Sequence, residues 1–524
     1  MTIPLIDLFA GPGGLGEGFT SLRRPKNDER YFDIAMSVEK DPLAVRTLRM
    51  RALFRELHDS SGEYAKALEE TIKLRLKGEL SYEQIFDFQG EAPLSKKFRE
   101  RVAAVSSHVK HMALGEGSTT REIKKTIEAL NLRRNCVVIG GPPCQAYSLV
   151  GRSRMLSERG RADFEKDHRH FLYREYLNVI QEAEPMAFVM ENVKGLLSAT
   201  VSKANMFDAI LKDLSGLNYQ LFGLSGEDSH SLRSDGDNLL PTDKSLVLRA
   251  ERYGVPQARH RVIIVGIRKD LLKNGQAYCP RKLRKRQTVS VSDVLNGMPI
   301  IRSGVSDNTD DGEHWLRAVK KGIDAAKEVP GLYASAERLE KRMGTFWMDK
   351  KDARGGKYLI AKPPRAGSGS LGRWLRGYTS TGVVQHESRT HMSSDLARYF
   401  FLSLYAAKFG HTPTLKDDKE FPKALWPDHQ SAGKSFHDRF RVQLADKPAT
   451  TITSHISKDG HYFIHPNPLQ CRALTVREAA RIQTFPDDYI FEGNRTQQYH
   501  QVGNAVPPFL ARQIAERIVH ALGL

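Results

Sequence analysis

The sequence predicts an α/β fold: a doubly wound, mostly parallel sheet, then a second, irregular domain, with the chain end returning to regular structure. Three observations carry this. Short apolar runs at residues 3–9, 34–38, 137–139, 187–190 and 262–266 alternate with helical patterns. The first run ends in a glycine-rich turn, Ala10 to Gly18. After Gly266 the regular pattern is lost until Thr475.

Each element has a local reason. Ile3 to Phe9 reads as a strand, and Glu17 onward can start a helix. Ile34 to Val38 is a second strand ending at Glu39. Residues 40–110 are charged and mostly helical in pattern, longer than a plain βαβ unit needs, and part of them (about 50–110) reads as an inserted helical excursion. Val137 to Ile139 is a strand. Phe171, Leu172, Tyr176, Leu177 and Ile180 give helical spacing over 170–182. Ala187 to Met190 is a strand ending at Glu191, and Phe207, Ile210, Leu211 and Leu214 mark a helix ending near Gly216. Val262 to Gly266 is a further strand. Thr475 to Ile482 and Pro507 to Leu522 are helices. The expected domains are 1–270, 275–460, and a segment 465–524 that returns to the first.

Composition excludes several classes. With 524 residues, 40% hydrophobic and 27% charged, the chain is long enough for two or three domains with a sizeable core. No run of eighteen apolar residues is present, which predicts no transmembrane helix. The first residues lack a basic region followed by an apolar one, so no secretory signal is expected. Cys136, Cys144, Cys279 and Cys471 are scattered without a CxxC pair, which argues against a disulfide framework or structural zinc and fits a reducing cytosol.

The net charge of +18 points to a polyanion partner, against the plainer reading of a generally basic surface. Its distribution favours the former. Residues 271–440 hold 30 Lys and Arg against 18 Asp and Glu, two thirds of the excess in one third of the chain. Within them, residues 341–380 carry ten basic and two acidic residues, seven glycines, and Phe346, Trp347, Tyr358, Trp374 and Tyr378. That mixture suits a loop that follows a phosphate backbone and reaches into a groove.

Gly140-Gly141-Pro142-Pro143-Cys144-Gln145 follows a strand that its glycines and prolines must end. A thiol is thereby presented at the carboxyl end of a buried strand, where open α/β sheets place reacting groups. Cys144 is then either a nucleophile or a buried structural cysteine, and its own residues do not choose. Gly11-x-Gly13-x-x-Gly16, after Asp7 and Phe9, has dinucleotide-fingerprint spacing. Glu39 follows at the end of the next strand, where an acid could bind ribose hydroxyls. This pattern alone serves NAD, FAD or S-adenosylmethionine. Glu191 in Glu191-Asn192-Val193 is a general acid or a helix-capping acid. Gln257, Arg259 and Arg261 share one face at strand spacing; they meet a carboxylate or polar substrate, or form a plain surface ion pair. Gly503 and Asn504, before a helix-starting proline, could let backbone approach a ligand.

In this order the motifs resemble the DNA (cytosine-5) methyltransferase family, of the bacterial restriction-modification type. Asp7 to Gly16, with Gly14 among its glycines, resembles the cofactor turn. Gly141 to Gln145 resembles the catalytic loop, Glu191-Asn192-Val193 the acid motif, and Gln257-x-Arg259-x-Arg261 the arginine motif. Arg472 to Thr475 through Arg481 to Pro486 resembles the penultimate motif, and Gln501 to Pro507 the last. Asp167-x-Arg169-x-x-Leu172 resembles a minor one, and Leu114-Gly115-Glu116 is the candidate for a poorly matched third. The likeness spans roughly residues 3–267 and 465–524.

The resemblance implies a Rossmann-like, S-adenosylmethionine-dependent methyltransferase sheet, with a target-recognition domain over about 275–460. It implies Cys144 as nucleophile toward cytosine C6, Glu191 at N3, Arg261 at the base O2, and Arg259 bracing Glu191 or the loop. Cofactor contacts would fall to Asp7, Phe9, Gly11, Gly13, Gly14, Gly16, Glu39, Glu116, Pro142, Leu172, Asn504 and Val506. The methyl donor would be S-adenosyl-L-methionine, with no metal. The partner would be double-stranded DNA, bound by a monomer and not at a membrane, with restriction or phage-defence proteins as companions. The setting would be the bacterial cytoplasm and nucleoid. A tRNA cytosine-5 methyltransferase, a catalytically inactive DNA-binding relative and a nicotinamide enzyme remain as alternatives.

Overall fold

A computed structural model describes residues 2–87, 96–143, 172–201, 204–226, 232–235, 238–306, 309–348, 350, 353–359, 369–376, 382–427 and 437–524. The first half runs β1 (Ile3–Leu8), α1 (Gly14–Thr20), β2 (Phe32–Glu39), α2 (Pro42–Asp59), α3 (Gly62–Lys77), α4 (Lys96–Ser106), β3 (Val109–His111), α5 (Gly117–Ala129) and β4 (Val137–Gly140). It continues with α6 (Leu172–Ala183), β5 (Ala187–Val193), α7 (Met206–Gly216), β6 (Tyr219–Phe222), β7 (Val247–Arg249) and β8 (His260–Arg268).

Among the described residues, eight strands form one sheet in the order β7-β8-β5-β4-β1-β2-β3, with β6 also paired to β8. β1, β2, β3, β4 and β5 are mutually parallel, and β8 is antiparallel to each of its neighbours. The fold is therefore the expected α/β class with a mostly parallel sheet. Burial explains why its strands read as apolar runs. Val138, Ile6, Ile264 and Val262 pack toward α5, α6 and α7 on one face. Val137, Ile139, Leu5, Ile263 and Val265 pack toward α1 and the chain's last helix on the other. A parallel sheet covered on both faces has no polar side to show.

The strand order reverses direction at β1. From it the chain goes outward through β2 and β3, then returns to place β4 on the other flank. Diverging connections of this kind leave a crevice at the carboxyl ends of the two flanking strands. The glycine turn after β1 and the Gly-Pro-Pro turn after β4 both border it. The short strands β3, β6 and β7, at or near the sheet's margins, were not legible in the sequence, and β5 runs on through Glu191 to Val193.

Between 272 and 460 the chain is irregular in places but holds three longer helices: α8 (Gly312–Glu328), α9 (Tyr333–Phe346) and α10 (Ser393–Phe409). They enclose a second core around Trp315, Trp347, Tyr399 and Phe400. Both indoles are tied down: Trp315 Nε1 donates to Ser303 Oγ at 2.8 Å and Trp347 Nε1 to the Leu469 carbonyl at 3.0 Å. Helices α2 to α4 have their own cluster (Leu53, Leu68, Ile72, Val102), which also takes in Val384 and Ile490 from distant sequence. The chain ends with α11 (Val476–Ile482), α12 (Arg495–Asn504) and α13 (Pro508–Ala521). α13 lies on α1, where a Cβ on Gly18 would come within 2.6 Å of the Pro508 carbonyl. Among the described residues no helix is long and apolar enough to cross a membrane.

Candidate active site

The turn after β1 is held from three sides. Phe9 and Gly11 have φ of 53° and 56°, and Gly13 has 93°, a left-handed run that reverses the chain into α1. Glu39, at the end of β2, accepts from Gly11 N at 2.8 Å through Oε2. Its Oε1 accepts from Lys40 N and Asp41 N at 2.9 and 2.8 Å. Tyr489 donates its hydroxyl to the Pro12 carbonyl. The glycines divide into two kinds. A Cβ on Gly11 would meet nothing within 4 Å, so this residue borders open space. Gly14 and Gly16 lack room instead: a Cβ there would stand 2.2 Å from the Val506 carbonyl oxygen and 2.8 Å from Asp7 Oδ2.

Asp7 is buried under Gly16, and neither of its carboxylate oxygens finds a hydrogen-bond partner among the described residues. Burial pushes its pKa up to about 8, with the Arg55 cation opposing and the Glu39 charge adding. Beyond β3, Glu116 is exposed at the N-terminus of α5, and a Cβ on the neighbouring Gly115 would stand 3.8 Å from Leu172 Cδ2 at the start of α6. Asn504 is exposed at the end of α12, and Val506 is buried. The loops after β1, β2, β3 and β4 thus bring Phe9, Gly11, Glu39, Glu116, Pro142 and Leu172 to one edge of the sheet.

The second half of the site stands on β4, β5 and β8. Arg261 is opposite Val193, and Glu191 is opposite Ile263. The two are diagonal neighbours on one face, a separation that a long side chain spans. Arg261 Nε accordingly lies 2.7 Å from Glu191 Oε1, with both side chains about one-seventh exposed. Glu191 Oε2 fills the place where a Gly141 Cβ would be, at 2.7 Å. Next along β5, Asn192 Nδ2 donates to the Pro142 carbonyl at 3.2 Å. The acid, its cation and the turn leading toward Cys144 are therefore one bonded unit. Cys144 itself, with Asp167 and Arg169, lies outside the described residues. Cys136, at the other end of the same strand, is a poor nucleophile because burial pushes its thiol up to about 12.

Three readings need correction. Gln257, Arg259 and Arg261 do not share one face, because the strand is interrupted at Arg259 and resumes at His260. Arg259 turns inward instead, donating to the Ile452 carbonyl at 2.7 Å and the Gly503 carbonyl at 3.1 Å, and it is Arg261 that carries the ion pair with Glu191. Gly503 serves the same junction: a Cβ there would sit 2.4 Å from the Ser454 backbone nitrogen, so it admits neighbouring protein backbone, not a ligand. The aromatic residues of 341–380 are also not presented to a groove. Trp347 is buried, Phe346 and Tyr358 pack on apolar clusters, and Trp374 donates to the Thr484 carbonyl at 2.7 Å. Tyr378 lies outside the described residues.

Sequence reasoning missed Asn192 and Tyr489 as holders of the two turns. Asn192 adjoins the acid it serves, and that adjacency was its only signal. Tyr489 is 477 positions from Pro12 and had none.

The crevice suits an adenosyl amino acid. A backbone-lined turn with open space at Gly11, the Phe9 ring and the Glu39 carboxylate supply an apolar wall and acceptors for hydroxyl groups. Among the described residues no three His, Cys, Asp or Glu side chains group as metal ligands would.

Comparison with known proteins bears on the family and the fold. The sequence profile of the C-5 cytosine-specific DNA methylase family matches residues 116–520. The chain is 32% identical to the type II methyltransferase M.Bpa9945I of Bacillus paralicheniformis, covering 98% of each. It is 28% identical to the type II methyltransferase M.DdeI of Desulfomicrobium norvegicum over 73% of this chain and 72% of that one. A crystal structure of a putative DNA modification methyltransferase encoded within an Escherichia coli prophage superposes with a TM-score of 0.54 at 17% identity, covering both chains fully, which concerns the fold. The chain belongs to the C-5 cytosine-specific DNA methylase family.

Proposed function

We propose that this chain methylates C5 of a cytosine within a specific double-stranded DNA sequence, with S-adenosyl-L-methionine as methyl donor. The observation that carries the reading is the ion pair of Arg261 and Glu191 packed against Gly141, three residues before Cys144. The pair stands at the turn after β4, the strand that runs parallel beside β1 and its glycine turn, and this supports reading Cys144 as the thiol of the same site.

The chemistry assigns each residue a task. Cytosine C5 is too weakly nucleophilic to be methylated unaided. The Cys144 thiolate adds to C6, forming an S–C6 bond and moving the C5–C6 π pair toward C5. Glu191 in its protonated form, positioned by Arg261, faces N3 and donates its proton there as negative charge develops in the ring, and it takes the proton back when the thiolate leaves. Arg261 also has donors left for the base O2. S-adenosyl-L-methionine, when bound, supplies an electrophilic methyl group, and Phe9, Gly11, Glu39, Glu116, Pro142, Leu172 and Asn504 would hold it. Loss of the C5 proton to a base and expulsion of the Cys144 thiolate release 5-methylcytosine and restore the enzyme. Asp7, Gly13, Gly14, Gly16 and Val506 shape the crevice from beneath. Arg259 is a positioning residue that ties the strand carrying Arg261 to Ile452 and Gly503.

A base in a duplex hides its C6 face, so the target cytosine must be turned out of the stack, at a cost on the order of a few kcal/mol. The basic segment of about 275–460 holds the opened duplex and reads its sequence in the major groove. The chain acts as a monomer on DNA, in a restriction or phage-defence setting within the bacterial cytoplasm.

Bisulfite sequencing of DNA from a methylation-free host tests this. Expression of the chain is expected to protect cytosines in one sequence context, and Cys144→Ala to abolish protection. Soluble wild-type protein with every cytosine unprotected overturns the reading, and methylation of tRNA alone transfers it to RNA.

A further inference from the structure

A cavity of about 470 Å³ lies between α1, α2 and α13 on one side and residues 286 and 370–374 on the other. None of the residues assigned to the cofactor crevice or to the Glu191–Arg261 pair lines it. Its walls hold seven arginines and two carboxylates, Glu17 and Glu516. The deepest cations are neutralised: Arg51 lies 2.5 Å from Glu17 and 3.0 Å from Asp488, and Arg30 lies 3.0 Å from Asp59.

The cations at the mouth are less fully matched. Arg55 and Arg373 have no ion pair and no side-chain hydrogen bond among the described residues. Arg286 reaches only neutral groups, Gln513 Oε1 at 3.0 Å and Ser370 Oγ at 2.9 Å. Arg512 is 3.9 Å from Glu516, which it shares with Arg517. Like charges also face one another: after burial itself, Arg55 most weakens the hold of buried Arg30 on its proton, and Arg286 weakens that of Arg512 against the larger opposing pull of Glu516.

We propose that this cavity binds a compact, phosphate-bearing anion of the size of pyrophosphate or a nucleoside triphosphate. Arg55 and Arg373 offer whole guanidinium forks to phosphate oxygens, the bidentate recognition for which arginine is suited, and Arg286 and Arg512 add their remaining donors around the same concavity. The concave, small-ligand scale of the site fits a compact anion better than the convex backbone of a duplex. Arg55 and Arg512 belong to the catalytic half, whereas Arg286 and Arg373 belong to the basic segment. A bound anion would therefore bridge the two and oppose their separation, which makes the site a point of control by a phosphorylated small molecule. This inference does not depend on the base chemistry proposed above.

Calorimetric titration of the full chain with pyrophosphate, ATP and adenosine, each with S-adenosylhomocysteine saturating, tests it. One equivalent of pyrophosphate or ATP should bind and adenosine should not. The double variant Arg55→Gln, Arg373→Gln removes two unpaired side chains, so it should fold and bind S-adenosylhomocysteine as the parent does. It should weaken the anion by about tenfold or more. If pyrophosphate outdoes ATP the ligand is inorganic, and the reverse marks a nucleotide. No binding of either anion, equal binding by the double variant, or binding that S-adenosylhomocysteine abolishes overturns the proposal. So does a variant whose only change is a raised KM for DNA, which would make the cavity part of the DNA track.

Discussion

Arg261 reaches Glu191 across two antiparallel strands, Nε to Oε1 at 2.7 Å, from a position two residues out of register. The pairing leaves the second Glu191 oxygen against Gly141, in the turn that leads to Cys144, while Arg261 Nη1 donates to the His260 carbonyl at 2.8 Å. Removing either member should leave the protein folded and slow chemistry. Glu191→Gln is expected to lower kcat by about 10²–10⁴-fold, the range for a lost general acid. Arg261→Ala should lower it by about 10²–10³-fold, the range for one lost electrostatic contact. Single-turnover transfer of tritiated methyl groups measures both, with S-adenosylmethionine affinity expected to stay near the parent value.

Asn192 should matter through geometry alone. Its amide holds the Pro142 carbonyl and touches no reacting group. Asn192→Ala is expected to cost about 1 kcal/mol of stability, the net value of one such hydrogen bond. The larger effect should be on kcat, a loss of about 10- to 100-fold from a mispositioned loop. Urea unfolding and steady-state kinetics separate the two.

The glycines of the cofactor turn should fail in different ways. Alanine at Gly14 places a methyl group 2.2 Å from the Val506 carbonyl oxygen, and overpacking of this kind costs about 1–3 kcal/mol. Gly14→Ala should therefore lower the urea midpoint. Alanine at Gly11 meets no atom within 4 Å, and its φ of 56° adds only roughly 1–2 kcal/mol of backbone strain. Its main effect should be a weaker affinity for S-adenosylmethionine, read by calorimetry.

Acid should destabilise the fold below neutrality. Burial holds His386 down at about 4, and His391 and His465 at about 3. These folded values lie below the usual 6.5, so the neutral rings stabilise fully above that pH, and the contribution is lost as pH falls through the folded values. Asp7 acts oppositely: raised to about 8, it stabilises fully below its unfolded value of 3.8 and loses that contribution as pH rises toward 8. His108 is likewise held at about 3 by burial, so from pH 6.5 down to 4 these groups set four protons against one, and the urea midpoint should fall with acidification. Each proton accounts for about 1.4 kcal/mol per pH unit. His391→Gln should flatten the slope, and an unchanged slope would remove His391 from this account.

Much of the catalytic sheet was legible because its strands are short, apolar and buried on both faces, and residues 172–183 and 508–521 show their apolar stripes at helical spacing. Helices α8 to α10 were not, because they lie among turns and basic clusters that mask their periodicity. The aromatic residues at 346, 347, 358 and 374 misled for the same reason: composition marks a residue as basic-loop or core only when its neighbours in space are known.

By itself, the sequence determined the order of the motifs, the turns that glycine and proline force after β1 and β4, and the chemical types available there: a thiol, an acid, two arginines and a glycine-rich edge. These follow from local sterics and spacing. Only the tertiary structure decided that Arg261 and not Arg259 pairs with Glu191, since this depends on a strand interruption and an antiparallel register. It alone showed that Tyr489 and Val506 hold a turn nearly five hundred residues away, and that arginines from both ends of the chain collect around one cavity. Such contacts join segments whose separation in sequence carries no signal of their distance in space.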